Sequence, residues 1–212
     1  MFRALESYTA RRLICNLSSR AQGSLMHDLI TRLHATEWTE GNLRTFLLAQ
    51  QSVSFAWPHD DWVGDRVLNH PAYANIAVWK LRYLLVRYEV SLQTAKNEFS
   101  GMAGLDIGTM TVEHLMPQKW REHWALPQSS TPENVRNRDA AVHRFGNLTI
   151  MKTALNSSIS NSAWEKKRQE LLKHANLNMN SQLAQIAQWD EDAIWARGEE
   201  IAAAFCRIWP RD

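Results

Sequence analysis

A predominantly helical α+β fold carrying one small β-hairpin is predicted by three observations. Apolar residues recur at helical spacing through most of the chain. The stretch TVEHLMPQKW, residues 111–120, breaks that pattern: a β-branched, apolar start runs into Glu113-His114 and is stopped by Pro117. A second short strand, Leu148 to Met151, follows the helix breaker Gly146.

The elements are justified in order. Phe2 to Leu17 sets Leu5, Leu13, Ile14 and Leu17 at helical spacing, and Ser24 to Leu33 puts Leu25, Leu29, Ile30 and Leu33 on one face. Thr39 caps a third helix through Leu43, Phe46, Leu47 and Leu48. The turn at 57–61, Trp-Pro-His-Asp-Asp, precedes a short helix around Val63–Leu68, which His70-Pro71 ends. Asn75 to Leu92 is the most regular helix, with Ile76, Trp79, Leu81, Leu84 and Leu85 apolar. Ser100 to Gly108 holds three glycines and reads as a loop before the first strand. Lys119–Leu126 follows as a short helix, and Pro132 opens another through about His143. After the second strand the polar NSSISN turn, 156–161, leads to a helix from Ser162 to about Ala175, with Ser162 and Glu165 spaced as a capping box. Helices near Gln182–Trp189 and Asp192–Trp209 close the chain.

Composition narrows the function classes. An apolar fraction of 45% and 22% charged residues suit a globular protein with a real core. The sequence has no apolar run of about 18 residues, the length a membrane span requires, and MFRALESYTARRL lacks the apolar region of a secretory signal. Cys15 and Cys206, near opposite ends, form no zinc framework and imply no disulfide, so a reducing, cytoplasmic setting is expected. The net charge of +2 is unevenly spread. Residues 136–173 carry eight Lys/Arg against three Asp/Glu, while the preceding 135 residues balance and the last segment is acidic. Such a patch is either a solvated helix face or the footprint of a phosphate-bearing partner.

The middle of the chain reduces to strand with Glu-His, connection, strand with Gly-Asn, turn with Asn, basic helix. That set suits phosphodiester hydrolysis. Imidazole is the side chain best matched to taking a proton from water at neutral pH, here His114. Charge building on the phosphate is neutralised most simply by a divalent metal. Mg²⁺ takes hard oxygen ligands and keeps several waters, and Glu113 and Asn156 can supply a carboxylate and an amide oxygen. Adjacent strand residues point to opposite faces, so Glu113 and His114 serve one centre only where the strand bends or ends. For Glu113 and Asn156 to meet, the two strands must pair antiparallel, with Val112 and Leu115 buried.

The blocks EHLMPQ, GNLTIM and LNSSISNSAWEKKR, in that order, resemble the HNH or ββα-metal nuclease motif. More narrowly they are similar to the C-terminal nuclease domain of GmrSD-type, modification-dependent (type IV) restriction endonucleases. LESYTARR, Leu5 to Arg12, also resembles the helical stretch that precedes the motif in that family. The resemblance implies a ββα-metal core with a helical N-terminal part and C-terminal helices. It implies Glu113 and Asn156 on a Mg²⁺ or Mn²⁺ ion, His114 activating water, and Asn147 bracing the loop that carries it. It places Lys166, Lys167 and Arg168 where a helix meets DNA phosphate. His143 and Asn161 are additional candidates, Asn161 reading more as a cap or turn residue. The boundaries that follow are a helical region at 1–100, the core at 101–176 and C-terminal helices of the same domain at 177–212.

The sequence departs from the compact motif in two ways. His114 and Asn147 lie 33 positions apart, so a helical insertion must join the strands. The nucleotide-binding N-terminal domain of the larger family members has no P-loop or glycine-rich counterpart here, so the chain is expected to be a C-terminal piece of a longer protein or a partner-dependent subunit. The function implied is metal-dependent cleavage of foreign or modified DNA in a restriction or phage-defence system. The alternatives are a degenerate module that only binds nucleic acid or a partner, and a structural helical domain. Metal-dependent nicking separates the first from both.

Overall fold

The computed structural model describes residues 2–93, 107–126, 130–152, 161–173 and 177–211. Helix α1, Phe2–Ile14, ends earlier than its apolar periodicity suggests because Asn16 turns left-handed at φ 51° and the Leu17 N–H closes back on the Arg12 carbonyl. Helix α2, Gln22–Ala35, buries Leu25, Leu29 and Leu33, and α3, Glu40–Leu48, starts at Thr39, whose hydroxyl accepts the Asn42 N–H. With Tyr8 and Trp57 these helices form an apolar cluster of their own.

The LESYTARR arginines are buried in structural roles. Arg11 donates to the carbonyls of Pro58 and Trp209 and to the Asp60 carboxylate. Arg12 donates to the carbonyls of Ala56 and Ser18. The first helix therefore clamps the last residues of the chain.

Helix α4, Asp60–Asn69, is capped by the His59 ring, which accepts the Trp62 N–H. The regular helix expected over 75–92 is broken in two: a single turn, α5 (Ala72–Asn75), then extended Ile76 and Ala77, then α6 (Val78–Leu92). The break buries Ile76 and lets the Tyr73 N–H bond the His143 carbonyl, tertiary contacts that periodicity does not register. The helix expected at 119–126 is only a tight turn, Trp120–Glu122, because Trp120 is anchored inward with its indole N–H on Asp139. The glycine-rich loop expected before the first strand lies, up to residue 106, outside the described residues.

Strands β1, Met110–His114, and β2, Leu148–Lys152, pair antiparallel, with Val112 opposite Ile150 and His114 opposite Leu148. Val112 and Leu115 are buried as expected. The first strand stops at His114, before the Pro117 that the sequence sets as its end, but the Leu115 N–H still reaches the Asn147 carbonyl. Between the strands, α7 (Pro132–Ala141) carries a capping box from Thr131 and Asn134. Beyond them, α8 runs over Trp164–Lys173. Its cap position is Ala163, whose carbonyl accepts the Lys167 N–H, and not Ser162. Helix α9 spans Asn178–Leu183, earlier than expected, because Glu89 of α6 takes the N–H groups of Asn178 and Met179 and fixes the start there. Asp190 caps the long α10, Glu191–Ile208.

The main core joins α4, α6, both strands and α10 through Val63, Leu84, Val112, Ile150, Ile201 and Phe205. It draws on residues from each of the regions 1–100, 101–176 and 177–212. A second cluster packs Trp120, Trp124, Trp164 and Trp189 beside the end of β1. Among the described residues no helix is long and apolar enough to cross a membrane.

Candidate active site

The site is built on the turn Phe145–Asn147 that feeds β2. Gly146 is required by a close approach: a Cβ there would fall inside the contact distance of the Ile194 carbonyl of α10. Arg197, one turn further along α10 and buried, donates to the carbonyls of Gly146 at 2.6 Å and Leu148 at 2.7 Å. Burial pushes its guanidinium down to about 10.

That anchoring fixes Asn147, which has no exposed surface. Its Oδ1 accepts the Met116 N–H at 2.8 Å and the Trp189 indole N–H at 3.0 Å. Its Nδ2 donates to the carbonyls of Met116 and Val142, each at 2.8 Å. Both faces of the amide are used, and two of its bonds grip the backbone two residues after His114.

His114 is the contrasting element. Its main chain is held by strand pairing and by Lys167 Nζ, which donates to its carbonyl at 2.8 Å. Its ring packs against Tyr73, with centroids 4.3 Å apart, and against His143, 5.5 Å apart and near-perpendicular. Its Nε2 is buried and makes no hydrogen bond, and neither does the buried Nδ1 of His143 or the Nε of Arg144. The imidazole is 6% exposed, more enclosed than a residue in an open crease. Burial first, then His143 and Lys167, push its pKa down to about 3, so the ring is neutral near pH 7. Burial lowers His143 as well, against the pull of Asp139.

The other sequence-derived candidates divide. Glu113 is half-buried and alternates with His114 along β1, so the two side chains leave opposite faces of the strand. Asn156 lies outside the described residues, so its separation from Glu113 and His114 does not enter the geometry. Among the described residues no cluster of three or more His, Cys, Asp or Glu is arranged to hold a metal. Glu113 offers the hard oxygen that Mg²⁺ takes, and the orphaned imidazole nitrogens fit a bound polar group. Asn161 is exposed in the turn before α8.

The basic run Lys166–Arg168 does not act as one face. Lys166 is exposed, Arg168 is half-buried and pairs with Glu165, and Lys167 is 3% exposed with its ammonium on the His114 carbonyl. Lys167 is therefore corrected from a surface phosphate contact to a support of the His114 backbone. Burial pushes it down to about 8, while the Glu113 charge opposes that shift.

Sequence reasoning missed Tyr73, Trp189, Arg197 and Asn180. Asn180 accepts the Thr149 hydroxyl and donates to the Ile150 carbonyl, tying α9 to β2. Buried arginine and asparagine at core-facing helix positions were the signal available, since such groups need partners. His143, placed at the helix end by the sequence, does face His114.

No curated protein matches the chain. Residues 57–204 match the family described as GmrSD restriction endonucleases, C-terminal domain. The match takes in the hairpin, the turn at Asn147 and most of α10.

Proposed function

The chain belongs to the C-terminal domain family of GmrSD restriction endonucleases, and from that premise we propose that it is a metal-dependent, HNH-type endonuclease that hydrolyses DNA phosphodiester bonds. The observation that carries the proposal is the neutral, enclosed imidazole of His114, whose Nε2 has no partner while its backbone is held from both sides.

In this reading the neutral ring of His114 accepts a proton from the attacking water. Asn147 keeps residues 114–116 in register with β2, and Lys167 fixes the His114 carbonyl, so the ring is presented without rearrangement. His143, whose Nδ1 is also unbonded, would supply a second imidazole beside the His114 ring. Glu113 and Asn156 would hold a Mg²⁺ or Mn²⁺ ion, which when bound supplies charge neutralisation on the phosphate. Lys166 and Arg168 flank the buried Lys167 on α8, and the exposed Lys166 would meet the DNA backbone. The biological setting proposed is a restriction or phage-defence system acting on foreign or modified DNA in the cytoplasm. A nucleotide-binding domain or subunit would supply the recognition.

The test is nicking of supercoiled plasmid in EDTA, Mg²⁺ and Mn²⁺ by the wild type and His114→Ala. Cleavage that needs the ion and is lost in the variant supports the proposal. DNA binding without cleavage by the wild type would replace it with a binding module.

A further inference from the structure

His114 has a backbone fixed by hydrogen bonds and a ring fixed by none. Lys167, Leu148 and Asn147 determine where its Cα sits, yet no side-chain hydrogen bond orients its imidazole among the described residues. In hydrolytic sites generally, the nitrogen that reacts is selected by a hydrogen bond to the other one. Here that orienting contact has to come from packing.

Tyr73 supplies it. The residue lies in the single turn of α5, 41 positions before His114 and outside every motif block. Its ring meets His114 at 4.3 Å with the planes at 66°, and lies nearly parallel to the His143 ring at 6.2 Å. Its backbone N–H donates to the His143 carbonyl at 3.0 Å, so the same residue contacts both histidines. It is not a loose neighbour, because the ring also packs against the main core. The two ends of its segment are fixed by Pro71 and by the buried Ile76 at the break before α6. No hydrogen bond of its hydroxyl is found among the described residues, which leaves the ring itself as the acting group.

We propose that Tyr73 is a positioning residue whose aromatic ring sets the rotamer of His114 and, through its N–H, the distance of His143 from it. The role rests on the nuclease reading for its catalytic consequence, but not for its geometry. The break between α5 and α6 then has a function: a continuous helix from Ala72 would carry the ring away from the end of β1.

The experiment uses the full chain and four proteins: wild type, Tyr73→Phe, Tyr73→Leu and His114→Gln. The first readout is the His114 Cε1–H resonance in a ¹H–¹³C spectrum without DNA, assigned by its loss in His114→Gln. A ring-current displacement present in wild type and Tyr73→Phe but absent in Tyr73→Leu is expected. The second is plasmid nicking: Tyr73→Leu should lower kcat about 10- to 100-fold, the scale of a misplaced catalytic group, with KM unchanged. Tyr73→Phe should stay within about twofold of wild type, since it keeps the ring. Melting temperatures identify folded variants, and should Tyr73→Leu fail to fold, Tyr73→Met takes its place in both readouts. Loss in Tyr73→Phe as deep as in Tyr73→Leu overturns the proposal in favour of a hydroxyl role. So does an unshifted His114 resonance or an unchanged kcat in Tyr73→Leu. If the wild type does not nick DNA, the nuclease reading fails by itself, and the resonance alone decides whether Tyr73 sets the ring.

Discussion

The turn at Asn147 and the recess at His114 are neighbours, yet they treat polar atoms in opposite ways. Around Asn147 the amide is bonded on both sides, and Arg197, which leaves its buried Nη2 unbonded, covers two carbonyls that would otherwise be bare. Around His114, its own Nε2 and the Nδ1 of the neighbouring His143 are buried and unbonded. A buried polar group without a partner carries a desolvation cost of about 1–3 kcal/mol. The first region is organised for stability. The second gives some stability up, and such a concentration of unmet nitrogens beside a neutral histidine is what a substrate or ion would satisfy. The rigid region exists next to the unsatisfied one because a reacting group must be held before it can act.

The comparison can be broken most severely at Gly146. Gly146→Ala pushes a Cβ into the backbone of α10, which has no flexible side chain to yield. A loss of about 3 kcal/mol, the upper part of the overpacking range, is expected in denaturant unfolding, with nicking abolished. A variant of wild-type stability would show that the turn and α10 separate easily.

His114→Phe should sharpen the contrast from the other side. It removes an unsatisfied nitrogen and keeps the ring's shape, so the melting temperature should hold or rise. Nicking should fall by roughly 10²–10⁴. If stability drops as it does for Gly146→Ala, the two regions are alike and the functional reading of the recess weakens.

Asn147→Asp is expected to cost about 2 kcal/mol, because the carbonyls of Met116 and Val142 lose their donor and a charge is placed at a site with no exposed surface. Activity should fall with it, while binding of Mn²⁺, followed by calorimetry, stays near wild type. A variant that loses Mn²⁺ binding but not stability would move Asn147 from brace to ligand.

A pH-dependent effect is expected at Lys167. Its folded pKa of about 8 lies below the value of 10.5 for a free lysine. Between those values the unfolded chain binds more protons than the folded one, so stability rises with pH across that window and is flat below it. In EDTA the slope should reach about 1 kcal/mol per pH unit, and Lys167→Met should remove it. A slope that persists in Lys167→Met would assign it to another group.

Part of this was legible in the sequence alone. The strand pairing was, because 111–116 and 148–151 are the places where β-branched and apolar residues interrupt helical periodicity, and burial of Val112 and Ile150 fixes their register. The bond from Asn147 to the loop after His114 was legible through the GNLTIM block, and the Thr39 cap through its spacing. Lys167 misled because a lysine between two basic neighbours looks like solvent-facing charge. Its helix turns that one position onto the end of β1.

What the sequence by itself determined is the helical class and the two short strands that pair, with Asn147 at the entry to the second. These follow from short-range pattern, where periodicity and residue type act within a few positions. What only the tertiary structure decided is how His114 is held and how enclosed it is. Tyr73 reaches it from 41 positions upstream, Lys167 from 53 downstream, and Trp189 and Arg197 secure the neighbouring turn from α10 and the segment before it. Each such contact is a single pair of groups brought together by packing of distant helices, and nothing in the local spacing of either partner encodes it. The depressed pKa of His114 belongs to the same class, since burial is a property of the assembled core and not of the residue.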